Sequence, residues 1–157
     1  MKKLFFLVLC VFLISSLAVT NSCKKNDKIK GCTDKDSKNY DPGAQENDGS
    51  CLFEGAVVFW YDQTASTGLI SDSATSLTFY INGAIIGSTV TSIFWATAPT
   101  CGQNGSITVT EDLGSVKTKA YTLSVKDQTG FEYWNATVNV VANTCIQFQL
   151  LWSKKKK

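Results

Sequence analysis

Leu77-Thr78-Phe79-Tyr80-Ile81-Asn82-Gly83-Ala84-Ile85-Ile86 is the stretch that decides the fold. Leu77, Phe79 and Ile81 alternate with Thr78 and Tyr80, so an extended chain here presents an apolar face at period two. Asn82-Gly83 supplies the left-handed pair that a two-residue hairpin turn requires, and the chain returns through Ala84-Ile85-Ile86. The same texture runs outward from Glu54 to Trp152. Ile107 and Val109 form one apolar set; Tyr121, Leu123 and Val125 form another. Trp134, Ala136, Val138 and Val140 follow, then Ile146, Phe148 and Leu150, with polar residues between them. Ala56 to Tyr61 and Ile93 to Ala96 are continuously apolar, which suits strands covered on both faces or aromatics aimed at a ligand. No stretch carries a helical period. About seven or eight short strands in roughly 100 residues suit one domain, and the expected fold is an all-β antiparallel sandwich over residues 54–152.

The six cysteines sort by position. Cys10 lies in an apolar run and Cys23 just after it. Cys32 and Cys51 bracket an acidic loop, and Cys101 and Cys145 bracket the second half of the β-rich region. The expected bridges are Cys32–Cys51 and Cys101–Cys145. In the chain-entropy model they contribute roughly 3 and 4 kcal/mol respectively. An even set of four in an oxidising compartment is what a disulfide framework needs.

Met1-Lys2-Lys3 is a short basic segment, and Leu4 to Val19 is almost wholly apolar. At about 16 residues the run is short for a bilayer-spanning helix, and the layout is that of a secretory signal peptide. With Ser22 before Cys23, the segment resembles the leader of a bacterial lipoprotein, although Thr20 stands where that family prefers Leu. The resemblance implies cleavage after residue 22, lipidation of Cys23 and a polar tether over 23–30. Acyl chains at about 0.8 kcal/mol per buried CH₂ would anchor the protein stably. An uncleaved anchor, or ordinary cleavage with Cys23 a spare thiol, are the alternatives. Lys24-Lys25 lacks the acidic run associated with surface export, which leans toward the periplasmic side; surface and periplasmic faces of the outer membrane both stay open.

Residues 31–51 are turn-forming throughout, with Asp41-Pro42-Gly43 and Asn47-Asp48-Gly49 as expected turns. No apolar period exists, so the disulfide must hold the segment together. Gly31-Cys32-Thr33-Asp34, Asn39-Tyr40, Pro42, Ala44 and Asp48-Gly49-Ser50-Cys51 resemble a motif that recurs in secreted and surface proteins of Bacteroidetes-type bacteria. Lys35, Ser37 and Asn47 depart from it. The motif decorates unrelated proteins and implies no activity. Asp34, Asp36, Asn39, Asp41, Asn47 and Asp48 are hard oxygen donors of the type calcium prefers, but their spacing is not that of an EF-hand. A calcium-loaded loop and a metal-free knot are both open readings; no other cofactor is expected.

Residues 55–151 resemble carboxypeptidase-regulatory or PEGA-like modules. The resemblance rests on Phe79-Tyr80-Ile81-Asn82-Gly83, Cys101-Gly102, Lys119 to Leu123, Trp134 to Val138 and Cys145 to Leu150. It implies an Ig-like or transthyretin-like sandwich, accessory in role and without catalytic residues. Asp72-Ser73-Ala74 resembles a Bacteroidetes O-glycosylation acceptor.

All fifteen basic residues are lysines, and there is no histidine. That excludes histidine-dependent triads, histidine metal sites and bidentate arginine clamps. Only carboxylates remain for catalysis, and Glu111-Asp112 reads as a solvated turn, so no enzyme is expected. The net charge of +2 owes much to the tail, residues 153–157, so no nucleic-acid face is expected. The aromatics divide between core filling and ligand stacking. Trp60, Trp95, Phe131 and Tyr133 are the stacking candidates, with Phe131 and Tyr133 facing outward and Trp134 inward on the alternation. The leading expectation is a lipid-anchored envelope protein with a non-catalytic binding or structural sandwich and an unidentified protein or glycan partner. A glycan-binding accessory lipoprotein is second and a carboxylate hydrolase a distant third.

Overall fold

A computed structural model describes residues 27–153. The expectations for the leader, for Cys10 and Cys23, and for the tail beyond Ser153 lie outside the described residues.

The chain forms β1 (Lys30–Gly31), β2 (Glu46–Asn47), β3 (Phe53–Trp60), α1 (Gln63–Ser71), β4 (Ser76–Ile81) and β5 (Ala84–Val90). β6 (Ile107–Gly114), β7 (Thr118–Asp127), β8 (Glu132–Val141) and β9 (Cys145–Gln149) follow. β1 and β2 pair in parallel within the cysteine loop. The other strands make two sheets, one ordered β6-β3-β9 and one ordered β5-β4-β7-β8. Their inner faces bury Val57 and Phe59 of β3 against Leu77, Phe79, Leu123 and Val125. This is the expected all-β sandwich, and the Asn82-Gly83 turn joins β4 to β5 with both residues at positive φ.

Three details differ from the sequence reading. First, β9 runs parallel to β3, so the smaller sheet is mixed. Second, residues 63–71 are helical. Asp62 caps the helix, its carboxylate accepting from the Ala65 amide, yet the buried stripe is only Ala65, Ser66 and Leu69. Thr, Ser and Gly are weak helix formers, so no period shows in the sequence. The helix closes with Ser73 at φ 64° while Ala74 N–H donates to Leu69 C=O, a Schellman ending that satisfies the orphan carbonyls. Third, Ile93 to Ala96 is irregular rather than a covered strand. β5 ends at Val90, Thr91 turns inward to donate its hydroxyl to Ala74 C=O, and Ile93 and Phe94 are left exposed.

Ala56 to Trp60 does lie in a strand covered on both faces for part of its length, and Tyr61 follows its end. Val58, on the outer face, is fully buried between Thr108 and Gln147 in the register. The loop before β6 lies over it: Gln147 Nε2 donates to Pro99 C=O and the Cys101–Cys145 disulfide pins the loop to β9. At Gly55 the sheets approach so closely that a Cβ would fall 2.3 Å from the Val141 carbonyl oxygen.

Candidate functional site

The cysteine loop is built from side chains that bend the backbone locally. Asp34, Asp41, Asn47 and Asp48 each accept from the amide two residues on, at 2.8 to 3.1 Å. Asn39 reaches further: its Oδ1 accepts from the Leu52 amide at 2.7 Å and its Nδ2 donates to Ser50 C=O at 2.7 Å. The Cys32–Cys51 bridge closes the loop. Both cysteines are buried in the same apolar cluster as Phe53 and Leu113. The loop therefore seats on the sandwich and shares its core.

Two lysines clamp it there. Lys117 Nζ lies 2.7 Å from Asp34 and 2.9 Å from Asp36, and sits over the Phe53 ring. Lys38, from the loop, reaches Asp112 at 3.1 Å and Glu54 at 3.9 Å. The Lys117 hydrogen bond holds the Asp34 carboxyl below its ordinary value, and the carboxylates in turn raise Lys117. Asp112 is lowered by the Gly114 amide and then by Lys38. Glu111 and Asp112 are thus not a turn tip; they lie in β6, opposite Gly55 and Glu54.

The calcium candidates do not converge. Asp34 and Asp36 face Lys117, Asn39 binds backbone, and Asp41 and Asp48 cap separate turns. Among the described residues no three His, Cys, Asp or Glu side chains gather at one point. Cleft space of about 330 Å³ lies between loop and sandwich, lined by Lys35, Asp36, Lys38, Glu54, Asn143 and Thr144. This is a size that accommodates a small ligand. Its groups can form hydrogen bonds and ion pairs. No nucleophile–base pair is assembled there.

The four stacking candidates do not form a platform. Tyr133 is 2 % exposed, against the outward orientation expected of it. The cause is a bulge: Val125 pairs with Trp134 but Lys126 pairs with Glu132, so Tyr133 is an extra residue and turns inward. There it packs edge-on to Phe131 at 5.1 Å and stacks with Trp152 at 6.0 Å. Trp134, expected inside, is only partly buried; its indole N–H donates to Leu151 C=O and its ring stacks on Tyr61. Burial of Tyr61 pushes its hydroxyl pKa up to about 12. Trp60 and Trp95 are both half-buried around a gap of about 10 Å³, room for a water at most and not for a sugar ring.

Sequence reasoning missed Lys38, Lys117 and Trp152. Lys117 meets Asp34 across 83 positions, and no local pattern marks such a partner. Trp152 lies past the last strand, where alternation gives no facing rule. Among the described residues no helix is long and apolar enough to cross a membrane. Compared with known proteins, the chain matches no family model, no curated protein and no solved structure.

Proposed function

We propose that this chain is an exported, lipid-anchored envelope protein of the Bacteroidetes lipoprotein type, whose sandwich is a non-catalytic structural or protein-binding module. The observation that carries the reading is the use of the cysteines. Cys32, Cys51, Cys101 and Cys145 pair among themselves in two disulfides, which is the chemistry of an oxidising compartment. Cys23 remains directly behind a basic and apolar leader, at the position a lipoprotein acylates. The aromatics favour the structural or protein-binding role over sugar capture, because Tyr133 is spent on the core and Trp60 and Trp95 enclose no usable space.

Fractionation of cells expressing the full chain tests this. The wild type is expected in the membrane fraction, released only by detergent, and to incorporate labelled palmitate. Cys23→Ala is expected to lose the label and leave the membrane. Unlabelled wild type, or full membrane retention of Cys23→Ala, would replace the lipid anchor by an uncleaved signal segment.

A further inference from the structure

The two disulfides sit in opposite surroundings. Cys32 is 1 % exposed and Cys51 7 %, both inside the apolar cluster that holds Phe53 and Leu113. Cys145 is exposed and Cys101 is half-buried. Thiol–disulfide exchange requires a thiolate to reach a sulfur, so access separates the two bonds by rate. The Cys101 amide also donates to the Cys145 sulfur at 3.1 Å. The same donor would stabilise the thiolate that leaves Cys145 when the Cys101 sulfur is attacked, and a stabilised thiolate leaves faster.

What the exposed bond holds down is the loop between β5 and β6. Cys145 pairs with Ala56 in the register, on the outer face of the three-stranded sheet. Val58 and Trp60 follow on that face, because alternate residues of a strand share a side. Val58 has no exposed surface, and the Trp60 indole nitrogen is buried. Trp60 meets Trp95 and Gly105 of the loop around the small gap described above. Trp95 N–H donates to Tyr61 C=O at the loop's start. Between Trp95 and Cys101, among the described residues, the Gln147 Nε2 bond to Pro99 C=O is the one hydrogen bond to the sheet. The disulfide is the covalent part of that attachment.

We infer that Cys101–Cys145 is a redox-sensitive latch: a dithiol donor opens it while Cys32–Cys51 stays closed, and the freed segment 96–106 lifts from Val58 and Trp60. One donor thiolate attacks the Cys101 sulfur, which breaks the S–S bond and releases Cys145 as a thiolate that takes a proton. The donor's second thiolate then attacks the donor sulfur of this mixed disulfide, and Cys101 leaves and is protonated in turn. Two electrons and two protons pass to the protein, and the donor ends as a disulfide. The sandwich survives the opening because Phe59, Leu77, Phe79 and Leu123 pack between the inner faces of the sheets, on the side away from the loop. The inference does not depend on the lipid anchor.

Full-length protein in mild detergent, treated with dithiothreitol and no denaturant, tests it. Alkylation and peptide mapping are expected to label Cys101 and Cys145 about ten-fold or more faster than Cys32 and Cys51, whose sulfurs are reached only through local unfolding. In this partly reduced protein, hydrogen exchange is expected to quicken at residues 96–106 and to stay slow at 77–81 and 121–125. Oxidised dithiothreitol should restore the slow exchange. The double variant Cys101→Ser, Cys145→Ser should match the reduced form with no reductant present. Equal or reversed reduction rates would overturn the selectivity. Unchanged exchange at 96–106 in either the reduced protein or the double variant would overturn the latch, as would a quickening that extends to 77–81 and 121–125.

Discussion

The indole of Trp152 occupies the space that a side chain on Gly68 would need. A Cβ placed on Gly68 falls 2.1 Å from Trp152 Cε2 and 2.4 Å from Cζ2. The chain beyond β9 is thus locked onto α1, and Trp152 in turn stacks on Tyr133. One glycine links the helix, the C-terminal segment and the bulge of β8.

This sets two effects of opposite sign against each other in Gly68→Ala. Alanine favours a helix over glycine by about 1 kcal/mol. Overpacking costs about 1–3 kcal/mol, and the Trp152 ring is not the far end of a flexible chain. Net destabilisation is expected, read as a lowered denaturant midpoint. A raised midpoint would mean that the indole swings away freely.

Tyr133→Ala removes a ring buried among Phe131, Trp134 and Trp152. A loss of about 3–5 kcal/mol is expected, as for other large aromatics cut from a core. Were Tyr133 on the surface, chemical denaturation would show almost no change.

The loop clamp should respond to pH at both ends. Asp34 titrates below 3.8 when folded, so its contribution is present above that value and fades as pH falls through the lower folded one. Lys117 is raised above 10.5, so its contribution is present below that value and fades as pH rises through the higher folded one. Amide exchange in residues 33–50, measured relative to its intrinsic rate at each pH, is expected to be slow between the two limits and faster beyond either. Lys117→Met should accelerate it at neutral pH while barely moving the global midpoint; unchanged exchange would show the clamp to be idle.

Replacing Cys101 and Cys145 by alanine opens the longer disulfide loop, with a separation of 44 residues. The expected loss is about 4 kcal/mol, against about 3 for the Cys32–Cys51 pair. Removing Cys101–Cys145 should also free the loop over Val58, which protease cleavage near Pro99 would report. Protection equal to wild type would assign that cover to the Gln147–Pro99 hydrogen bond instead.

The sequence by itself determined what is local and periodic. Leu77, Phe79 and Ile81 had to share a face because side chains alternate in a strand, and Asn82-Gly83 had to turn because few other pairs reach positive φ. The two disulfides followed from position along the chain. Tertiary structure decided whatever depends on a distant partner. A bulge against β7 turned Tyr133 inward, since pairing register is a property of two strands. The weak segment 63–71 became a helix because Leu69 and Ala65 found a core to enter. Lys117 became a clamp because folding brought Asp34 and Asp36 to it, and those acids consequently face an ammonium rather than one another.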